Sequence, residues 1–131
     1  MQFQHEDSEH EAIARIAKTI LKYALHDAAQ AVSYTKAEKD GSVSYQIRDV
    51  WHSQMSLPLY VYAPILNFHR NWFGAKNTLR LDFKEAQHQM SLRYQITAHW
   101  KSDEQNEDLI MRIERNARDE FPGMQGLKVK L

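Results

Sequence analysis

Between positions 89 and 100 hydrophobic and polar residues alternate without a break. Met90, Leu92, Tyr94, Ile96, Ala98 and Trp100 stand against Gln89, Ser91, Arg93, Gln95, Thr97 and His99. Successive side chains of an extended strand point to opposite faces, so this pattern predicts a long β-strand with one dry and one wet side. Residues 77–83 repeat it with Leu79, Leu81 and Phe83 against Thr78, Arg80 and Asp82, and a turn over 84–88 would join the two segments into a hairpin. Val43, Tyr45 and Ile47 alternate with Ser42, Ser44, Gln46 and Arg48 in another half-buried strand. The alternation slips at Asp49-Val50-Trp51, which predicts a bulge or a strand end. Residues 31–38, with Val32 and Tyr34, read as a strand leading into a turn at Lys39-Asp40-Gly41, since Asp-Gly supports positive backbone angles. Residues 56–63 read as a short strand. Pro58 has no N–H to give a ladder, which confines that strand to an edge or makes it irregular.

Three segments carry a helical period instead. Ile13, Ile16, Ala17, Ile20, Leu21, Ala24, Leu25 and Ala28 form one apolar stripe, and the capping box Ser8…Glu11 predicts that the helix starts there and runs to about Gln30. A shorter helix is predicted over 64–73, with Pro64 in its first turn, Ile65, Phe68, His69, Trp72 and Phe73 on one face, and Gly74 as its stop. A third is predicted after the capping box Ser102-Asp103-Glu104-Gln105. Leu109, Ile110, Ile113 and Ala117 share its face, with acids early, arginines late, and Asp108/Arg112 and Glu114/Arg118 as spaced ion pairs. Pro122-Gly123 ends it. Leu127, Val129 and Leu131 then alternate with Lys128 and Lys130, a terminal strand that adds to the sheet edge or swaps onto a neighbour.

The element order α-β-β-β-α-β-β-α predicts an α+β fold: an antiparallel sheet of about four to five strands with the N- and C-terminal helices packed on one face. A helix-grip-like curved sheet around the C-terminal helix is the alternative with the same order. With 131 residues and no internal repeat or low-complexity tract, residues 1–131 read as a single globular domain.

Composition narrows the function classes. A chain that is 43% hydrophobic and 26% charged is expected to bury a core. Its 17 basic and 17 acidic residues leave no net field to draw in nucleic acid or an anionic membrane. The absence of cysteine removes disulfides, thiolate catalysis and cysteine-bound zinc, and suits a reducing cytoplasm. The N-terminal residues lack the basic and apolar segments of a secretory signal, and no apolar run would span a bilayer.

The candidate chemistry is sparse. His5 and His10 stand five apart around acidic residues, whereas a helical zinc motif needs histidines four apart, so an acidic helix entry is expected and no metal. His52, His69, His88 and His99 have no nucleophile motif, glycine-rich phosphate loop or paired-acid motif beside them, so no catalytic residue and no cofactor is expected. The wet face is expected to carry Gln46, Arg48, Arg80, Asp82, Arg93, Gln95 and His99. Arginine suits phosphate, but this set offers no aromatic on which a base could stack, so a solvated face is expected. The least ordinary stretch is 59–73, where Tyr60, Tyr62, Phe68, His69, Trp72 and Phe73 are the interface or pocket candidates. Such rings serve as core, as contact anchors, or as the wall of an apolar cavity. The resulting expectation is a non-enzymatic interaction or assembly module that self-associates into a homo-oligomer through this segment or the terminal strand. The alternative is a small apolar-ligand binder with a cavity lined by 59–73; a third reading is an enzyme built on a histidine–carboxylate pair.

Overall fold

A computed structural model describes residues 3–85, 90–102, 107–116 and 127–130. In chain order its elements are helix α1 (Phe3–His26), strands β1 (Ala31–Lys36), β2 (Asp40–Ile47) and β3 (Val50–Pro58), and helix α2 (Leu59–Phe73). A 3-10 turn (Gly74–Lys76) then leads to β4 (Thr78–Glu85), β5 (Met90–Ser102), β6 (Glu107–Asn116) and β7 (Leu127–Lys130). The strands form one sheet in the order β3-β2-β1-β6-β5-β4-β7. Pairing is antiparallel from β3 through β4, and β7 joins β4 in parallel. The fold is α+β with an antiparallel sheet, and the sheet is wider than the four to five strands expected.

The period-two segments behave as their patterns require. In β5, Tyr94, Ile96 and Ala98 are buried, Arg93, Gln95 and Thr97 are partly exposed, and His99 is exposed. The register carries this division across the sheet. Leu79 pairs with Ile96, Ala98 with Met111, Met111 with Val32, and Val32 with Tyr45, so the buried side chains line up on one face. At roughly 1.5–3 kcal/mol for each large side chain fully removed from water, this face is a major source of stability. The Tyr45 hydroxyl donates to the Ile20 carbonyl of α1 at 2.6 Å, and the Tyr34 ring lies 5.2 Å from that of His69 on α2.

Helix α1 buries Ala17, Ile20, Leu21, Ala24 and Leu25 from the expected stripe. It starts upstream of Ser8, which is therefore inside the helix and not its cap. It stops short of Gln30 in a Schellman motif: the Ala28 amide donates to Leu25, the Ala29 amide donates to Ala24, and Ala28 takes the left-handed conformation at φ 56°. Gln30, just beyond, accepts the Asp49 amide at 2.7 Å and so braces the β2–β3 turn.

Several expectations are corrected. Residues 107–116 form β6, not a C-terminal helix, and β6 fills the slot between β1 and β5. The helix-grip alternative loses its central helix with it. Arg112 lies four residues from Asp108 along an extended strand, too far to form the helical pair, and the Asp108 carboxylate instead accepts the Lys36 amide at 2.9 Å. The strand expected over 56–63 lies earlier, as β3, and Pro58 ends it at the sheet edge. Helix α2 starts at Leu59, so Pro64 is inside it; the ring's fixed φ suits the helix, and the missing N–H leaves the Tyr60 carbonyl without that bond. Gly41 is a strand residue rather than a turn, and the slip near Asp49 is a two-residue turn in which Arg48 (φ 52°) and Asp49 (φ 66°) both have positive φ. The expected turn over 84–88 falls partly, and the capping box at 102–105 and the Pro122-Gly123 stop largely or wholly, outside the described residues.

Candidate functional site

The aromatic segment folds as α2, and its spacing decides which rings go inside. Tyr62, Ile65, Leu66, His69 and Phe73 recur every three or four residues and are buried. Phe68 and Trp72 flank that stripe and are partly buried, while Tyr60, on the opposite side of the first turn, is 81% exposed. The structure therefore brings Phe68, His69, Trp72 and Phe73 together, with ring centroids 5.3–6.3 Å apart, and separates Tyr60 from them. Gly41 makes room for this helix. A Cβ at that position would overlap the Tyr62 ring, so the side-chain-free strand residue lets α2 lie close against β2. The Tyr62 hydroxyl continues across the sheet end and donates to the Glu107 carbonyl at 2.7 Å.

His69 occupies the centre of this cluster with no exposed surface. Its Nδ1 lies 2.8 Å from the Ile65 carbonyl, which can only accept, so Nδ1 carries the proton and Nε2 is a bare acceptor. Among the described residues neither Nε2 nor the neighbouring Tyr34 hydroxyl has a hydrogen-bond partner. Burial disfavours the imidazolium and pushes the His69 pKa down to about 4, against a smaller upward pull from the Ile65 carbonyl. The same burial pushes Tyr34 and Tyr62 far up, and Tyr45 up to about 12. All four groups are neutral at pH 7. With no exposed surface, His69 packs among the rings of Tyr34, Phe68, Trp72 and Phe73.

The rim of the cluster is polar. Arg70 forms an ion pair with Glu107 and lies 4.2 Å over the Trp100 ring, whose N–H donates to Asn77 at 3.2 Å. Both ends of the Arg70–Glu107 pair are more than a third exposed, so it orients the rim more than it stabilises the fold. A cleft of about 380 Å³ runs along α1 between Glu11, Ala14, Arg15, Lys18, Thr19 and Lys22. Four of its six lining residues are charged, and none is a candidate ring. His10 is exposed on α1.

On the wet face the register aligns Gln46, Arg80, Asp82, Arg93, Gln95 and His99 as expected, with Arg93 and Asp82 paired at 3.4 Å. Arg48 belongs to the β2–β3 turn instead. His99 pairs with Ile110, beyond the start of β4, and so does not sit opposite Arg80 or Asp82. One residue was missed. Trp51 pairs with Gln46, which places it on this polar face, and it is 44% exposed. A turn at Arg48-Asp49 would have revealed it, but neither residue is the Gly or Asn that usually marks such a turn.

No family model matches the chain, and no curated protein matches its sequence. No helix among the described residues is long and apolar enough to cross a membrane.

Proposed function

We propose that this chain is a non-enzymatic interaction module that associates with a second copy of itself. The observation that carries the reading is the placement of its exposed hydrophobic residues. Most of the aromatic segment is used internally, yet Tyr23 (59%), Val50 (55%), Trp51 (44%) and Tyr60 (81%) remain exposed, and Val50 and Trp51 are adjacent on an edge strand. Tyrosine and tryptophan left in water are the residue types that most often anchor protein contacts. The balanced charge of the chain offers no long-range repulsion between copies. Light scattering over a wide concentration range tests this: the expected result is a rise from the 15.4 kDa chain toward twice that mass, and a constant monomer mass overturns it.

The second reading is a small-molecule binder that uses the 59–73 helix. Its support is a pair of buried polar atoms, Nε2 of His69 on that helix and Oη of Tyr34 against it, that have no hydrogen-bond partner among the described residues. A ligand of the native state must raise the melting temperature, so a thermal-shift screen of small apolar compounds carrying one polar group distinguishes the two.

A further inference from the structure

An edge strand shows unpaired amides and carbonyls, and proteins guard such edges with charged side chains, prolines, bulges or a covering segment. The two edges of this sheet are treated differently. One edge is β7, which lies on β4 from Leu79 against Leu127 to Asp82 against Lys130 and is guarded by being only four residues long with Lys128 and Lys130 among them. The other edge, β3, has no charged guard: its sequence Val-Trp-His-Ser-Gln-Met-Ser-Leu-Pro contains no Asp, Glu, Lys or Arg.

The guarding of β3 is confined to one half. Its register against β2 shifts between the Val43–Met55 and Ser44–Ser53 pairs, leaving Gln54 as the extra residue, and Pro58 closes the far end. The half from Val50 to Ser53 has neither device, and it carries both exposed large side chains. A two-residue turn closes on a hydrogen-bonded pair, here Ile47 and Val50. The alternation of an antiparallel ladder then turns the amide and carbonyl of the next residue, Trp51, away from β2. Val50 and Trp51 point to opposite faces, so a strand laid along this edge would shield one from each side.

We propose that the segment Val50–Ser53 pairs antiparallel with the same segment of a second copy, joining two sheets edge to edge. This rests on the self-association reading above and names its surface. A two-fold antiparallel contact sets a segment against its own reverse, so charges of one sign would face their like. Val-Trp-His-Ser has no formal charge with neutral histidine, so the self-pairing carries no such repulsion. The bulge and Pro58 limit the contact to this half and disfavour open-ended addition along the strand.

The test compares Trp51→Lys with Glu114→Gln by light scattering, with circular dichroism confirming that each variant melts as the parent does. Both positions are exposed, so each variant should fold. Trp51→Lys is expected to weaken self-association by about tenfold or more, as loss of a contact anchor does, while Glu114→Gln leaves it unchanged. Amide exchange at 50–53 is expected to slow as protein concentration rises. A parent that is monomeric throughout overturns both this contact and the self-association reading. A parent dimer that Trp51→Lys leaves intact, with exchange at 50–53 independent of concentration, overturns the edge pairing while self-association stands.

Discussion

On one face of the sheet Val32, Tyr34, Val43, Tyr45, Leu79, Ile96, Leu109 and Met111 are shut away from solvent. One residue along each strand, on the other face, Ser44, Gln46, Arg80 and Gln95 are half-exposed and Arg112 and Glu114 are exposed. The same backbone ladders serve both faces, so the difference lies in what each side chain must do. In the core against the buried face shape and hydrogen bonding are constrained together: the Tyr45 hydroxyl reaches the Ile20 carbonyl and the Tyr62 hydroxyl that of Glu107, while the Tyr34 hydroxyl and His69 Nε2 have no hydrogen-bond partner among the described residues. On the polar face water answers whatever the protein does not. The buried face should therefore respond to single atoms, and the polar face should tolerate whole side chains.

The largest contrast is expected from Leu109→Ala against Glu114→Gln, two positions on the same strand. The first leaves a cavity beside Tyr34 and should cost about 2–5 kcal/mol, whereas the second should stay within about 0.5 kcal/mol in urea unfolding. Equal costs would break the comparison between the faces. Next comes His69. Its folded pKa of about 4 lies below the ordinary 6.5, so between those values the unfolded chain holds a proton that the folded chain does not. The stability due to neutral His69 is therefore present in full above pH 6.5 and is lost as pH falls toward 4, a change of about 3 kcal/mol. Urea midpoints measured across that window should fall for the parent and fall less for His69→Phe; identical slopes would show that the imidazole does not feel its burial. The smallest contrast separates two buried hydroxyls. Tyr45→Phe should cost about 1 kcal/mol through loss of the Ile20 bond, while Tyr34→Phe should be neutral or stabilising because its hydroxyl has nothing to lose.

Much of this arrangement was legible in the chain. The strict alternation of β5, and the shorter runs of β4 and β2, announced both the strands and their inward residues, because a period of two allows only one division of faces. The stripe of α1 was equally plain. Its end was not, since Ala28 occupies a left-handed position that a sequence usually marks with Gly or Asn. The strand β6 was the costliest misreading. Leu109, Ile110 and Ile113 suit a helical face, while Leu109, Met111 and Ile113 suit a strand, and Ile110 tips the local pattern toward helix. The decision is made by tertiary structure: β1 and β5 each offer this segment a full ladder, which no local window contains. Phe68, His69, Trp72 and Phe73 share one helical face as their spacing suggested, but which of the segment's rings are buried depended on a helix starting at Leu59 rather than Pro64. Gly41 was read as a turn former, when its use is to admit the Tyr62 ring.

The junction of β1 with β6 has a consequence for how the molecule is made. β1 emerges early in synthesis with one side bonded to β2, and its other side waits for Leu109, Ile110, Met111 and Arg112. Until those residues leave the ribosome, the nascent chain can hold only a fragment in which the strand destined for the centre is an open border. The last long strand to arrive is thus the one that makes the two halves a single sheet, so assembly is governed by a distant encounter and is intrinsically slow. A chain cut before residue 107 would retain α1, α2, the β1–β2–β3 meander and the β4–β5 hairpin, with no strand to bond the meander to the hairpin.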